Sequence, residues 1–237
     1  MATMIDLGTT DFYIATPSIP RSDFERYSTQ LFDDWENHVA QTLSLQDYSL
    51  VLEVEEGSVK GVGRIAAVLG AVYLGIGNYG DFVQGIQTIR GQVSSVGDYL
   101  TEHAVIPFKP SGYEAKVRKR GGSLGQLQRL FNQVQRRELT PEQAMIEAEA
   151  MFGEEASSVP GFMRDLQKSL ENLPLFHQQV SLLPEPTEQE LEISTREGER
   201  KPRPSRQIPS APPPQHIRVE VWRESKKGQR KVRVIQL

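Results

Sequence analysis

The chain has 237 residues, 38% hydrophobic and 24% charged, with no cysteine. That length can bury a core in one or two domains, and the composition excludes disulfides and thiolate metal sites. The formal net charge is −4, but it is divided unevenly: residues 1–195 carry 15 Lys/Arg against 27 Asp/Glu, and residues 196–237 carry 12 against 4. An acidic body with a basic tail points to an anionic partner, such as nucleic acid or a lipid surface, or to a tail lying on its own body.

The first residues, MATMIDLGTTDFYIATP, lack a basic flank ahead of an apolar run, so no secretory leader is expected. Within them DFYIATP is β-prone and is closed by Pro17. Ser22 with Glu25 reads as a capping box. Phe24, Tyr27, Leu31, Trp35, Val39 and Leu43 then fall at helical spacing, which predicts a helix over residues 23–43. In YSLVLEVEE, Tyr48, Leu50, Leu52 and Val54 alternate with polar or smaller residues, the pattern of a strand with one buried face. EEGS turns it into a second strand over residues 59–62. Residues 1–62 therefore read as a small β-α-β(-β) unit.

From Ile65 the period lengthens to alternating steps of three and four over residues 65–100, the stripe by which helices pack along a seam. Gly63, Gly70 and Gly77 lie seven apart on one face of such a helix, each costing about 1 kcal/mol relative to alanine, which close approach of a neighbouring helix would offset. A break is expected at residues 78–80. The self-association surface expected from this segment is Gly63, Val68, Gly70, Val72, Gly77, Tyr79, Phe82, Ile86, Ile89, Val93, Val96 and Leu100.

Two other readings compete for the same stretch. Residues 65–77 lack charges and amides, but a membrane span wants about 20 apolar residues, so insertion is a conditional alternative to a buried helix. GVGRIA, from Gly61 to Ala66, fits the glycine pattern of a dinucleotide-binding turn. That unit needs a second strand ending in an acidic residue about 20 positions on, where this chain continues its heptad.

Residues 106–122 read as a loop with the basic cluster Lys116, Arg118, Lys119 and Arg120. Beyond it two helices are expected, the first lined by Leu124, Leu127, Leu130, Phe131 and Val134, the second capped by Thr140 with Pro141 at its first position. A third, amphipathic through Phe162, Leu166 and Leu170, is expected over residues 158–172. Residues 183–215 are rich in proline, serine and charge, and read as a linker. After it, two alternating runs around Lys-Lys-Gly predict a basic β-hairpin over residues 216–237. A lone hairpin is marginal in water, so it should dock on a sheet, in its own chain or in a partner. Its cations Lys226, Lys227, Arg230, Lys231 and Arg233 join the 116–120 cluster as candidate polyanion contacts.

No catalytic, cofactor or metal site is expected. His38, His103, His177 and His216 are scattered, and no nucleophile elbow or phosphate loop is present. Alternation places Glu53 and Glu55 on a solvated face. The fold class is α+β: the N-terminal unit (1–62), a glycine-rich helical assembly segment or hairpin (63–105), a helical region (106–182), the linker (183–215) and the basic hairpin (216–237). The leading functional expectation is a non-enzymatic protein that self-associates or binds a protein partner through the 63–100 helix, including a membrane-inserting toxin or effector. The alternative is a soluble adaptor or regulator that binds nucleic acid or an acidic partner through the basic tail. A nucleotide-dependent enzyme using the 61–66 turn is third. A cytoplasmic location is expected, with association with or insertion in the inner membrane as the conditional alternative.

Overall fold

The computed structural model describes residues 4–174 and 217–237. The expected linker lies outside the described residues. The fold is α+β, with six antiparallel strands in the order β4-β1-β3-β2-β5-β6. β1 (Met4–Ile14) leads into α1 (Arg21–Thr42). β2 (Ser49–Glu55) and β3 (Val59–Val68) form a hairpin whose turn contains Gly57 at a φ of 106°, a conformation that favours glycine. α2 (Leu69–Gly77) and α3 (Phe82–Val105) follow. A 3-10 turn (Ile106–Ser111) leads to β4 (Ala115–Arg120). Then come α4 (Gly122–Gln135), α5 (Pro141–Phe152), α6 (Glu154–Ser158) and α7 (Pro160–Glu171). β5 (Ile217–Arg223) and β6 (Lys231–Gln236) close the sheet.

The period-2 pattern fixes which face of the sheet is buried. Leu52 of β2, Gly63 of β3 and Val221 of β5 share one cross-strand row, and that row lies under the helices. Trp35 of α1 is 1% exposed and donates its indole N–H to the Val96 carbonyl of α3 at 3.0 Å. Burying side chains of this size supplies about 1.5–3 kcal/mol each, which is why α1 and α3 lie flat on this face. A second apolar layer joins α2 and α3 to the later helices. There Phe162 of α7 packs on Phe82 and Phe152 with ring centroids 5.3 and 5.2 Å apart.

The hairpin docks in its own chain. β5 pairs with β2, and Ile217, Val219 and Val221 are buried there. Thr140 caps α5 in a reciprocal capping box with Gln143, and Pro141 opens the helix. The expected Ser22 box does not form. α1 starts at Arg21 behind Pro20, with no side-chain cap. The expected break after residue 77 is present, and Asp81 caps α3 by accepting from the Gln84 amide at 2.8 Å.

The 63–100 segment departs most from its expected form. Residues 63–68 belong to β3, so the glycine-spaced helix is in fact a strand, a short helix and a long helix. Ile86, Ile89, Val93, Val96 and Leu100 form the face of α3 turned into the chain's own core. The 61–66 stretch lies inside β3, antiparallel to β1 and β2, so it forms no strand-to-helix turn. Its glycines have another use: Gly61 lies against the Phe12 ring, and Gly63 against Leu100 and Trp35. Residues 106–122 are not a plain loop, because 115–120 form the edge strand β4. Among the described residues no helix is long and apolar enough to cross a membrane.

Candidate polyanion interface on the open sheet face

The helices cover one face of the sheet and leave the other open, where three cross-strand rows span all six strands. The first row runs Lys116, Tyr13, Lys60, Glu55, Arg218, Ile235 from β4 to β6. The second runs Arg118, Asp11, Val62, Glu53, Glu220, Arg233. The third runs Arg120, Thr9, Arg64, Val51, Trp222, Lys231. These rows hold eight Lys/Arg against four Asp/Glu, so the face is cationic although the chain as a whole is acidic.

The cations differ in how far they are compensated. Arg120 pairs with Asp11 at 2.9 Å, and Arg64 lies 3.7 Å from Glu53. Arg218 pairs with Glu55, and that hydrogen bond pushes its guanidinium pKa further up. Lys231 reaches Glu224 at 2.7 Å. Lys60, Lys116, Arg118 and Arg233 are exposed and make no ion pair among the described residues. Three of these four, Lys60, Lys116 and Arg118, surround Tyr13. Lys60 and Lys116 are its direct cross-strand neighbours, and Arg118 is two residues along β4. Tyr13 is half-buried and is not packed against the core. Direct cross-strand neighbours have Cβ atoms about 4.5–5.5 Å apart, so the Tyr13 side chain leaves the sheet between those of Lys60 and Lys116. At the rim of the face, burial pushes the Asp6 carboxyl above its usual range, opposed by the Gly8 amide and by Arg120 and Arg64.

The candidate polyanion contacts fall into three groups. Lys116, Arg118 and Arg120 share the open face with Lys231 and Arg233, at opposite sheet edges. Lys119 lies on the other side of β4, where its ammonium donates to the Ser94 carbonyl at 3.2 Å and pairs with Asp98. Lys226, Lys227 and Arg230 sit at the hairpin turn. Arg230 pairs with Asp33 of α1, the Lys226 amide donates to Asp47 at 2.7 Å, and its ammonium lies 5.5 Å from the Tyr48 ring centre. Arg223, next to that turn, pairs with Glu36 at 2.7 Å. Much of the tail's charge therefore rests on the acidic body.

Of the expected self-association residues, Val72, Ile86, Ile89, Val93, Val96 and Leu100 are buried in the chain's own core, as is Gly63. Val68, Gly70, Tyr79 and Phe82 are half-buried, and Gly77 is exposed. A Cβ at Gly77 would meet nothing within 4 Å, and one at Gly70 only Val159 at 3.9 Å. With Leu74, 56% exposed, these glycines form the outer face of α2, the part of the segment still open to a second copy.

Sequence reasoning overlooked Tyr13, Lys60 and Arg64 as site residues. Alternation along DFYI and VKGVGR puts them opposite the buried positions, but nothing in either segment says that the two strands are neighbours. Among the described residues no group of His, Asp and Glu is arranged to hold a metal ion. Comparison of the chain with protein-family models, with curated proteins and with solved structures finds no match in any of the three.

Proposed function

We propose that the chain is a non-enzymatic adaptor or regulator that binds single-stranded nucleic acid on the open face of its sheet. The observation that supports this most is the Lys116–Tyr13–Lys60 row: an aromatic ring free of the core, between two cations without ion partners. A base stacks on such a ring while the neighbouring phosphates meet the ammonium groups, a sequence-tolerant mode worth about 1–3 kcal/mol per stacked base. Trp222, three strands away, supplies a second ring on the same face. A sheet of six strands is about 24 Å across at the usual interstrand spacing, too wide to enter a duplex groove, which favours a single strand.

The test is fluorescence anisotropy with labelled oligo-dT and oligo-U of about 15 nucleotides, with a duplex as control. Binding should weaken steeply with salt, because each neutralised phosphate releases counterions. Tyr13→Ala should weaken binding about tenfold, and Lys60→Glu with Lys116→Glu should abolish it. Preference for the duplex, or no binding at low salt, would refute the reading.

A further inference from the structure

A cavity of about 340 Å³ lies on the other side of the sheet, between β1, β3 and α3. Its walls are unlike one another. Trp35 and Val93, both buried, supply an apolar floor. Thr10 is 7% exposed, its hydroxyl faces Gly97, and it makes no side-chain hydrogen bond among the described residues. A threonine hydroxyl without a protein partner on a cavity wall is free to donate to or accept from a polar ligand atom. Lys119 forms one rim, held there by Asp98 and the Ser94 carbonyl. Arg90 stands at the mouth, exposed and without an ion pair or hydrogen bond among the described residues.

We infer that this cavity binds a small organic carboxylate with a flat apolar body. The apolar part lies against Trp35 and Val93, Thr10 hydrogen-bonds the ligand, and the carboxylate meets the Arg90 guanidinium, whose planar fork matches two carboxylate oxygens. The charge of the site selects the class. Lys119 is already compensated by Asp98, and Arg120, also on the wall, by Asp11. Arg90 is left to balance one negative charge, which suits a carboxylate better than a phosphate dianion. The inference is independent of the reading of the open face, which the cavity borders through Thr9 and Arg120.

The probes are naphthoate, its neutral analogue naphthalenemethanol and naphthyl phosphate, titrated calorimetrically into the full chain. Naphthoate should bind one to one, about tenfold tighter than the alcohol and tighter than the phosphate. It should perturb the amide resonances of Gly63 and Gly97, both on the cavity wall. Arg90→Ala should remove the preference for the acid over the alcohol. Gly91 also lines the cavity, and a Cβ there meets nothing within 4 Å, so Gly91→Phe places a ring at the mouth without moving backbone. That variant should lose binding, while Gly91→Ala, which keeps the mouth open, should retain it. Equal affinity for acid and alcohol, tighter binding of the phosphate, unchanged binding in Gly91→Phe, or no naphthoate binding at all would each overturn the inference.

Discussion

Gly85 of α3 lies against Ile76 of α2 so closely that a Cβ on it would sit 2.8 Å from the Ile76 carbonyl oxygen and 3.0 Å from its Cα. The obstacle is backbone, which cannot rotate away. The tight α2–α3 corner therefore depends on glycine at 85, while Gly91, two turns further along the same helix, faces open space. Gly85→Ala should destabilise the chain by about 1–3 kcal/mol, the usual range for overpacking. Gly91→Ala should stabilise it by about 1 kcal/mol through helix propensity alone. Urea melts of the two variants check the pair, and equal effects would mean that the corner is looser than described.

The hairpin should be part of the folded body. Ile217, Val219 and Val221 are each no more than 2% exposed, and they cover β2. Val219→Ala should cost about 2 kcal/mol in lost transfer energy and cavity. Ending the chain at residue 215 removes all three side chains and leaves β2 as an uncovered edge, a template for aggregation. A loss of several kcal/mol is a large share of the about 5–15 kcal/mol that a domain has. Thermal melts of the two variants should show a modest and a drastic fall. A truncated chain that melts like the full one would place the hairpin outside the cooperative fold.

Stability should fall at alkaline pH. Burial pushes the Tyr48 phenol up to about 12, with the Glu36 carboxylate adding to the shift, and burial raises Tyr27 as well. The folded state then holds its phenolic protons more tightly than the unfolded chain does. The associated stability is complete below the unfolded pKa of about 10 and is lost as the pH rises toward the folded values. Urea midpoints measured from about pH 9 to about pH 12 should decline, and Tyr48→Phe should flatten part of that decline. A decline of the same slope in Tyr48→Phe would assign it to other groups.

Much of this architecture was legible because local signals agreed with the final packing. Thr140, Gln143 and Pro141 place the start of α5 without outside help, and the alternation in β2 and β5 marks their buried faces. The 63–68 segment was not legible. Gly61 and Gly63 weaken any strand signal, and the reason for them is tertiary: the Phe12 ring lies over one, Leu100 and Trp35 over the other. β4 carries almost no apolar alternation, since an edge strand needs only one neighbour, and Lys and Arg on it discourage pairing with other chains. The open-face site is formed by pairing alone, which brings Tyr13, Lys60 and Lys116 into one row.

The central claim is that a single strand lies across that row. The most direct measurement is photo-cross-linking of an oligonucleotide carrying iodouracil, followed by mapping of the adduct by mass spectrometry. The account predicts an adduct on Tyr13 that disappears when Lys60 and Lys116 are both changed to Glu while the fold is retained. An adduct confined to the hairpin turn around Lys226 and Lys227, or none at all, would contradict it.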